Sequence, residues 1–336
     1  MPVDWLSDTV AWLADTLGTE LFVVKGVMAV VLVCGLCGML GAMVVGNRMA
    51  FFSDAMAHCA FAGVSLGYLS VLLTDGDRTM ATWVVPLAMV AFGVAVGAGM
   101  VYVRDNTGLA HDTVIGVFFA LAIGFGAMLF QVLSTKSNFN PESFLFGNLV
   151  LIPEEDLLFL LALVLLVTPV FAWKYNQLVF ASFNPTLART RGLKLTLNNY
   201  LFIVILALVV NLSIKAVGAM LINAMLVVPA AAAANLSRNL RQMFWLTVLF
   251  CLGSGLLGFT LRNSFEVRIG KGDPVPFGPS GVIVVTSVAL FFLSMVAGAA
   301  WNRFAPILGL TPLPLRLNRH VHDQSCATDH GFGQCP

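Results

Sequence analysis

Long apolar runs separated by short polar breaks dominate the chain. Runs long enough to cross a bilayer as helices, about 20 residues each, lie at 21–46, 50–73, 80–103, 112–134, 155–173, 196–214, 216–236, 241–262 and 279–302. The pattern predicts an all-α, polytopic transmembrane bundle of eight to nine spans. The count turns on 196–214 and 216–236, between which stands only a short polar turn around Lys215. Ahead of the first run, Trp5, Leu6, Thr9, Trp12, Leu13 and Leu17 fall near helical spacing, so residues 1–20 read as a short interfacial helix. This opening lacks a basic stretch and carries Asp4, Asp8, Asp15 and Glu20, which argues against a cleaved signal peptide.

Composition agrees. Of 336 residues, 59% are hydrophobic and 10% charged, against about 25% charged in soluble domains. A net charge of +1 leaves no electrostatic footprint for nucleic acid. With the N-terminus outside and the C-terminus inside, eleven basic residues fall on the inner side (Arg48, Arg104, Lys174, Arg189, Arg191, Lys194, Arg238, Arg241, Arg303, Arg316, Arg319). Seven fall outside (Lys25, Arg78, Lys136, Lys215, Arg262, Arg268, Lys271), so the positive-inside rule sets this orientation. The chain then divides into a periplasmic segment 1–20, a membrane domain 21–302 with a polar inner loop at about 174–197, and a cytoplasmic tail 303–336. Gly35, Gly38, Gly41, Gly93, Gly97, Gly253, Gly255 and Gly258 read as sites of close helix approach. Cys34 and Cys37 read as packing residues, and Pro229 as a helix kink.

Against this apolar background, FSDAMAHC at 52–59 stands out. Ionisable groups in hydrocarbon are costly and point to function. Asp54 and His58 are four apart, hence on one helix face. Counting the helical rise from Arg48 puts His58 near the bilayer midplane. Carboxylate plus imidazole is a ligand pair for zinc, manganese or iron, and a two-fold homodimer brings four such donors together. A buried Asp–His hydrogen bond stapling helices, or a proton relay, fits the same two residues. Asp112 or Thr113 reads as a helix cap beside His111. The tail gathers His320, His322, Asp323, Cys326, His330 and Cys335, a tract of soft-metal character with no zinc-finger spacing. Within 174–197, Asn184-Pro185 reads as the start of a short inner helix and Gly192 as its stop, a handle for a soluble partner. No G-x-x-x-x-G-K-[ST] occurs, so the chain has no P-loop of its own for ATP.

Six stretches in order carry a family resemblance: RMAFFSDAMAHCAFAGVSLGYL, HDTVIGVFFALAIGFGAMLF, SFLFGNLVLI, FNPTLARTRGL, KAVGAMLINAMLVVPAAAAANL and FGPSGVIVV. Together they resemble the permease subunits of metal-ion ABC transporters, the zinc, manganese and iron uptake type. The resemblance implies a homodimer in the bacterial inner membrane, two cytoplasmic ATPase subunits and a periplasmic metal-binding protein. It implies ATP-driven alternating access around Asp54 and His58, with Asn184, Pro185, Ala188 and Gly192 in the ATPase-coupling segment. The family usually has Asp before that proline, where this chain has Asn184. No permanently bound cofactor is implied. Zinc is the first expected cargo, because Asp/His pairs suit it, and manganese or iron the next. The rivals are a proton-coupled secondary metal transporter and a permease for a larger metal chelate. An intramembrane metalloenzyme would want a motif such as H-E-x-x-H, which is absent.

Overall fold

A computed structural model describes residues 4–47, 49–74, 78–134, 147, 149, 152–183, 195–262, 266–267 and 275–304. The described residues form ten helices: α1 (Asp4–Leu17), α2 (Leu21–Gly46), α3 (Phe52–Leu73), α4 (Arg78–Thr107), α5 (His111–Ser134), α6 (Glu154–Phe183), α7 (Leu195–Val217), α8 (Ala219–Leu236), α9 (Leu240–Arg262) and α10 (Pro279–Phe304). A two-residue antiparallel pair, β1 (Glu266–Val267) and β2 (Val275–Pro276), joins α9 to α10. Nine helices, α2 to α10, are long and apolar enough to cross a membrane.

The separation of α7 from α8 settles the uncertain pair of runs, and it corrects their boundary. Lys215 lies inside the last turn of α7; the break is the single residue Gly218. Its φ of 93° and ψ of 153° fall in a region that is essentially glycine-only. Glycine is also required opposite it: a Cβ on Gly147 would meet the carbonyl of Val217. Gly218→Ala is therefore expected to destabilise the detergent-solubilised protein by about 1–3 kcal/mol, seen as an earlier thermal transition. An unchanged transition would show that the break tolerates a side chain.

Close helix approach at glycine holds for most of the predicted positions. A Cβ on Gly38 would lie 2.8 Å from Val248 Cα, on Gly41 2.5 Å from the Leu226 carbonyl, and on Gly258 2.5 Å from Ile283 Cα. Gly255 abuts the Cys34 sulfur, Gly93 the Asn211 amide and Gly97 Ile203. Gly35 and Gly253 are corrections: a Cβ there would touch nothing among the described residues, so they mark no helix contact there. Two glycines not singled out in advance, Gly63 and Gly67, bring α3 against Met89 and Val85 of α4, at 2.6 and 2.8 Å from the Cα atoms. Between their contacts the helices present large apolar side chains outward, including Trp83, Leu87, Trp173 and Val285. Outward apolar surface on this scale is that of a bundle whose solvent is lipid.

α6 runs ten residues past the predicted end of its span. The charge of Lys174 ended the apolar run, but KYNQLVFASF contains no glycine or proline to end a helix. Leu178 is buried, and Tyr175 packs edge-on against Phe244 of α9 at 4.9 Å. Of the loop expected at 174–197, residues 174–183 therefore belong to α6 and 195–197 to α7. Another shift occurs at α5, which starts at His111 rather than after an Asp112 or Thr113 cap. The Ala110 carbonyl accepts from the N–H groups of Thr113 and Val114, and Asp112 sits within the first turn at the positive helix end. The expected interfacial helix is α1, which buries Val10 and Ala14, exposes Trp12 and stops at Gly18 with φ of 61°.

Two ion pairs fasten the N-terminus of α6. Lys25 of α2 donates to Glu154 at 2.8 Å, and Lys215 of α7 meets Asp156 at 2.7 Å. These four charges, all on the expected outer side, lie at one end of the bundle.

Candidate functional site

Asp54 and His58 lie in the first two turns of α3, which starts at Phe52 after the turn closed by Phe52 N–H donating to the Met49 carbonyl. The expectation of a midplane histidine counted helical rise from Arg48. With the helix beginning at Phe52, six residues of rise put His58 only about 9 Å along it. The pair thus sits nearer the N-terminal end of α3. Spacing of four keeps both on one face, about 6 Å apart along the axis and 40° around it.

Two helices supply the neighbours. Asn223, near the start of α8, donates from Nδ2 to Asp54 Oδ1 at 2.9 Å. A carboxylate only accepts, so the amide must present its NH2 to Asp54 and its oxygen away from it. That oxygen, Asn223 Oδ1, is buried and has no hydrogen-bond partner among the described residues. His58 meets Phe119 of α5 edge to face, with ring centroids 4.9 Å apart. Both Asp54 and His58 are half-buried. No direct Asp54–His58 hydrogen bond is seen; the carboxylate is held by Asn223 instead. The stapling role therefore belongs to Asp54 and Asn223, between α3 and α8.

Among the described residues, no three His, Cys, Asp or Glu side chains cluster as a metal-binding group. The chain brings together an Asp–His pair and an adjoining amide. Sequence reasoning missed Asn223 because it read IN-A-M-L as part of an apolar run. A lone polar residue in a span was the available signal.

Pro229 lies inside α8 and is buried. It denies a helical partner to the carbonyl four residues back, Met225. Cys251 of α9 supplies one, its thiol donating to the Met225 oxygen at 3.7 Å. Cys34, Cys37, Cys59 and Cys251 are free and buried, in keeping with a packing role. Asn184, Pro185, Ala188 and Gly192 of the coupling segment lie outside the described residues, as do His320, His322, Cys326 and His330 of the tail. His111 opens α5.

The chain matches the model of the ABC 3 transport family over residues 20–298. It is similar to the manganese import system permease protein ScaB of Streptococcus gordonii, 28% identical over 81% of this chain and 90% of that protein. It is similar also to the high-affinity zinc uptake system membrane protein ZnuB of Haemophilus influenzae, 27% identical over 76% of this chain and 90% of the relative. Among solved structures, PsaBC from Streptococcus pneumoniae in complex with Fab matches with a TM-score of 0.67 at 25% identity, covering 85% of this chain and 95% of that one. The resemblance carried by the six sequence stretches thus extends through nearly all nine spans, and the chain is a multi-pass membrane protein that belongs to the ABC 3 transport family.

Proposed function

We propose that this chain is the permease subunit of an ABC importer that moves a divalent transition-metal ion inward across the bacterial inner membrane. The observation that carries the reading is a carboxylate and an imidazole one turn apart in a membrane-spanning helix of this family's fold. Such a pair stands in lipid only with a function or a partner to offset its cost. Its half-buried position suits an ion that must enter and then leave, since a conducting site cannot hold its ion tightly.

The permease works as a two-fold dimer, so that each α3 contributes its Asp54 and His58 to one shared path. A periplasmic binding protein delivers the ion to the outer end. ATPase subunits engage the inner loop between α6 and α7, through Asn184, Pro185, Ala188 and Gly192, and drive alternating access. The cytoplasmic tail, with His320, His322, Cys326 and His330, is a secondary metal-binding tract. Zinc, manganese and iron are the candidate cargoes; the similar proteins named for zinc and manganese support that set.

The test is ion accumulation by vesicles containing the permease with its ATPase and binding partners. Uptake of 65Zn or 54Mn is expected to require ATP and to persist when an uncoupler dissipates the proton gradient. Uptake that stops with the uncoupler and ignores ATP would instead establish the proton-coupled transporter.

A further inference from the structure

Among the described residues, Asn223 is the one polar side chain that ties α8 to the Asp54 carboxylate, and only half of its amide is satisfied. Nδ2 is spent on Asp54 at 2.9 Å, and Oδ1 is buried without a partner among the described residues. A buried acceptor left unpaired costs about 1–3 kcal/mol, and such groups in a native fold call for a reason. Asn211 of α7 offers the contrast. Its Oδ1 is likewise unpaired, but its Nδ2 donates at 2.6 Å to Ala207 of its own helix. That amide is anchored locally, against Gly93, with no ionisable group hydrogen-bonded to it. Asn223 instead reaches across helices to the charged member of the candidate pair.

We propose that Asn223 is a third donor of the half-site, its Oδ1 coordinating the ion while its Nδ2–H holds Asp54 in place, and that it sets the choice between ions. This rests on the reading of Asp54 and His58 as translocation ligands. The chemistry is a count of donors. Without Asn223, two copies offer two carboxylates and two imidazoles, a four-donor set matching tetrahedral zinc. With it, they offer six donors, four of them oxygen. Oxygen-rich six-coordinate sites suit manganese, while imidazole suits zinc and iron. The amide oxygen is neutral, so it widens the coordination shell without adding charge that would slow release. The cargo favoured by the complete set is therefore manganese, ahead of the zinc expected from the Asp–His pair alone.

The experiment compares 54Mn and 65Zn uptake by vesicles holding the full transporter, with Asn223→Leu, Asn223→Ser and Asp54→Ala variants. Leu matches the shape of Asn and removes both polar atoms. Ser stays polar but withdraws its oxygen from reach, and it reads the same ratio if the Leu variant fails to insert. Manganese uptake is expected to fall by about tenfold or more in both, as for loss of an interaction that supports a metal ligand, while zinc uptake falls much less. A purely structural Asn223 would lower both ions by the same factor; that result, or no change in either, overturns the proposal. Asp54→Ala separates the two levels. If that variant carries both ions at the wild-type rate, the translocation reading itself is wrong; if it carries neither, the behaviour of the Asn223 variants decides the role of the amide.

Discussion

Asp54→Ala is expected to abolish metal uptake, by on the order of 100-fold or more, while leaving a folded, membrane-inserted permease. The magnitude follows from symmetry and dehydration. In the proposed dimer one substitution removes a carboxylate from both copies, and changes in the supporting shell of a metal site alone cost about 10–100-fold in affinity. An ion stripped of water then has only two imidazoles and the amide oxygens to replace its hydration shell. The fold survives because Asn223, losing the acceptor 2.9 Å away, has a local alternative. A helical asparagine can turn to donate to the carbonyl four residues back, as Asn211 does to Ala207. His58→Ala should lose uptake to a similar degree, giving up in addition the edge-to-face contact with Phe119. Uptake of 54Mn and 65Zn in vesicles, with ATP hydrolysis measured in parallel, checks both. Wild-type uptake by either variant would sink the ligand assignment, and loss of insertion would show in the amount of protein recovered from the membrane.

The largest effect expected on stability lies at the other end of α8's predecessor, at Lys215. Its ammonium meets Asp156 at 2.7 Å and lies over the Phe159 ring at 5.6 Å. The Asp156 side chain is only 9% exposed, the Lys215 side chain 30%. Lys215→Met strands a buried carboxylate, for which the cost is about 3 kcal/mol. The double variant Lys215→Met with Asp156→Leu removes both charges and should recover most of it, since paired burial of charge is near neutral against apolar replacement. Lys25→Met provides the control. Its partner Glu154 is 36% exposed, and pairs of that kind contribute about 0–1 kcal/mol. Chemical unfolding of the purified protein in detergent would rank the three; equal losses for Lys25→Met and Lys215→Met would contradict the role given to burial. Lys215 stands three residues before the Gly218 break.

Spacing explains why Asp54 and His58 could be found without coordinates. Two ionisable groups in an apolar run are anomalous in composition, and the helical period fixes their common face regardless of what packs around them. The span count was legible to within one for the same reason: helix formation in lipid is forced by backbone hydrogen bonding, so length and hydropathy suffice except where two runs nearly touch. Chain turns were less legible. Lys174 ended an apolar run but not a helix, because leaving the hydrocarbon removes no backbone hydrogen bond. Gly218, one residue among thirty glycines, ends a helix by its conformation, which composition does not announce.

By itself, then, the sequence determined an all-helical membrane protein with eight to nine apolar spans, its family, and a carboxylate–imidazole pair on one face of the second span. Each of these depends on interactions close along the chain or on the lipid solvent. Only the tertiary structure decided that Asn223, 169 residues away from Asp54, holds its carboxylate. It also decided which glycines face a neighbour, that Cys251 serves the carbonyl freed by Pro229, and that Lys215 pairs with the buried Asp156. Those pairings join residues on different helices, and they exist only once side-chain packing has set how the helices lie against one another.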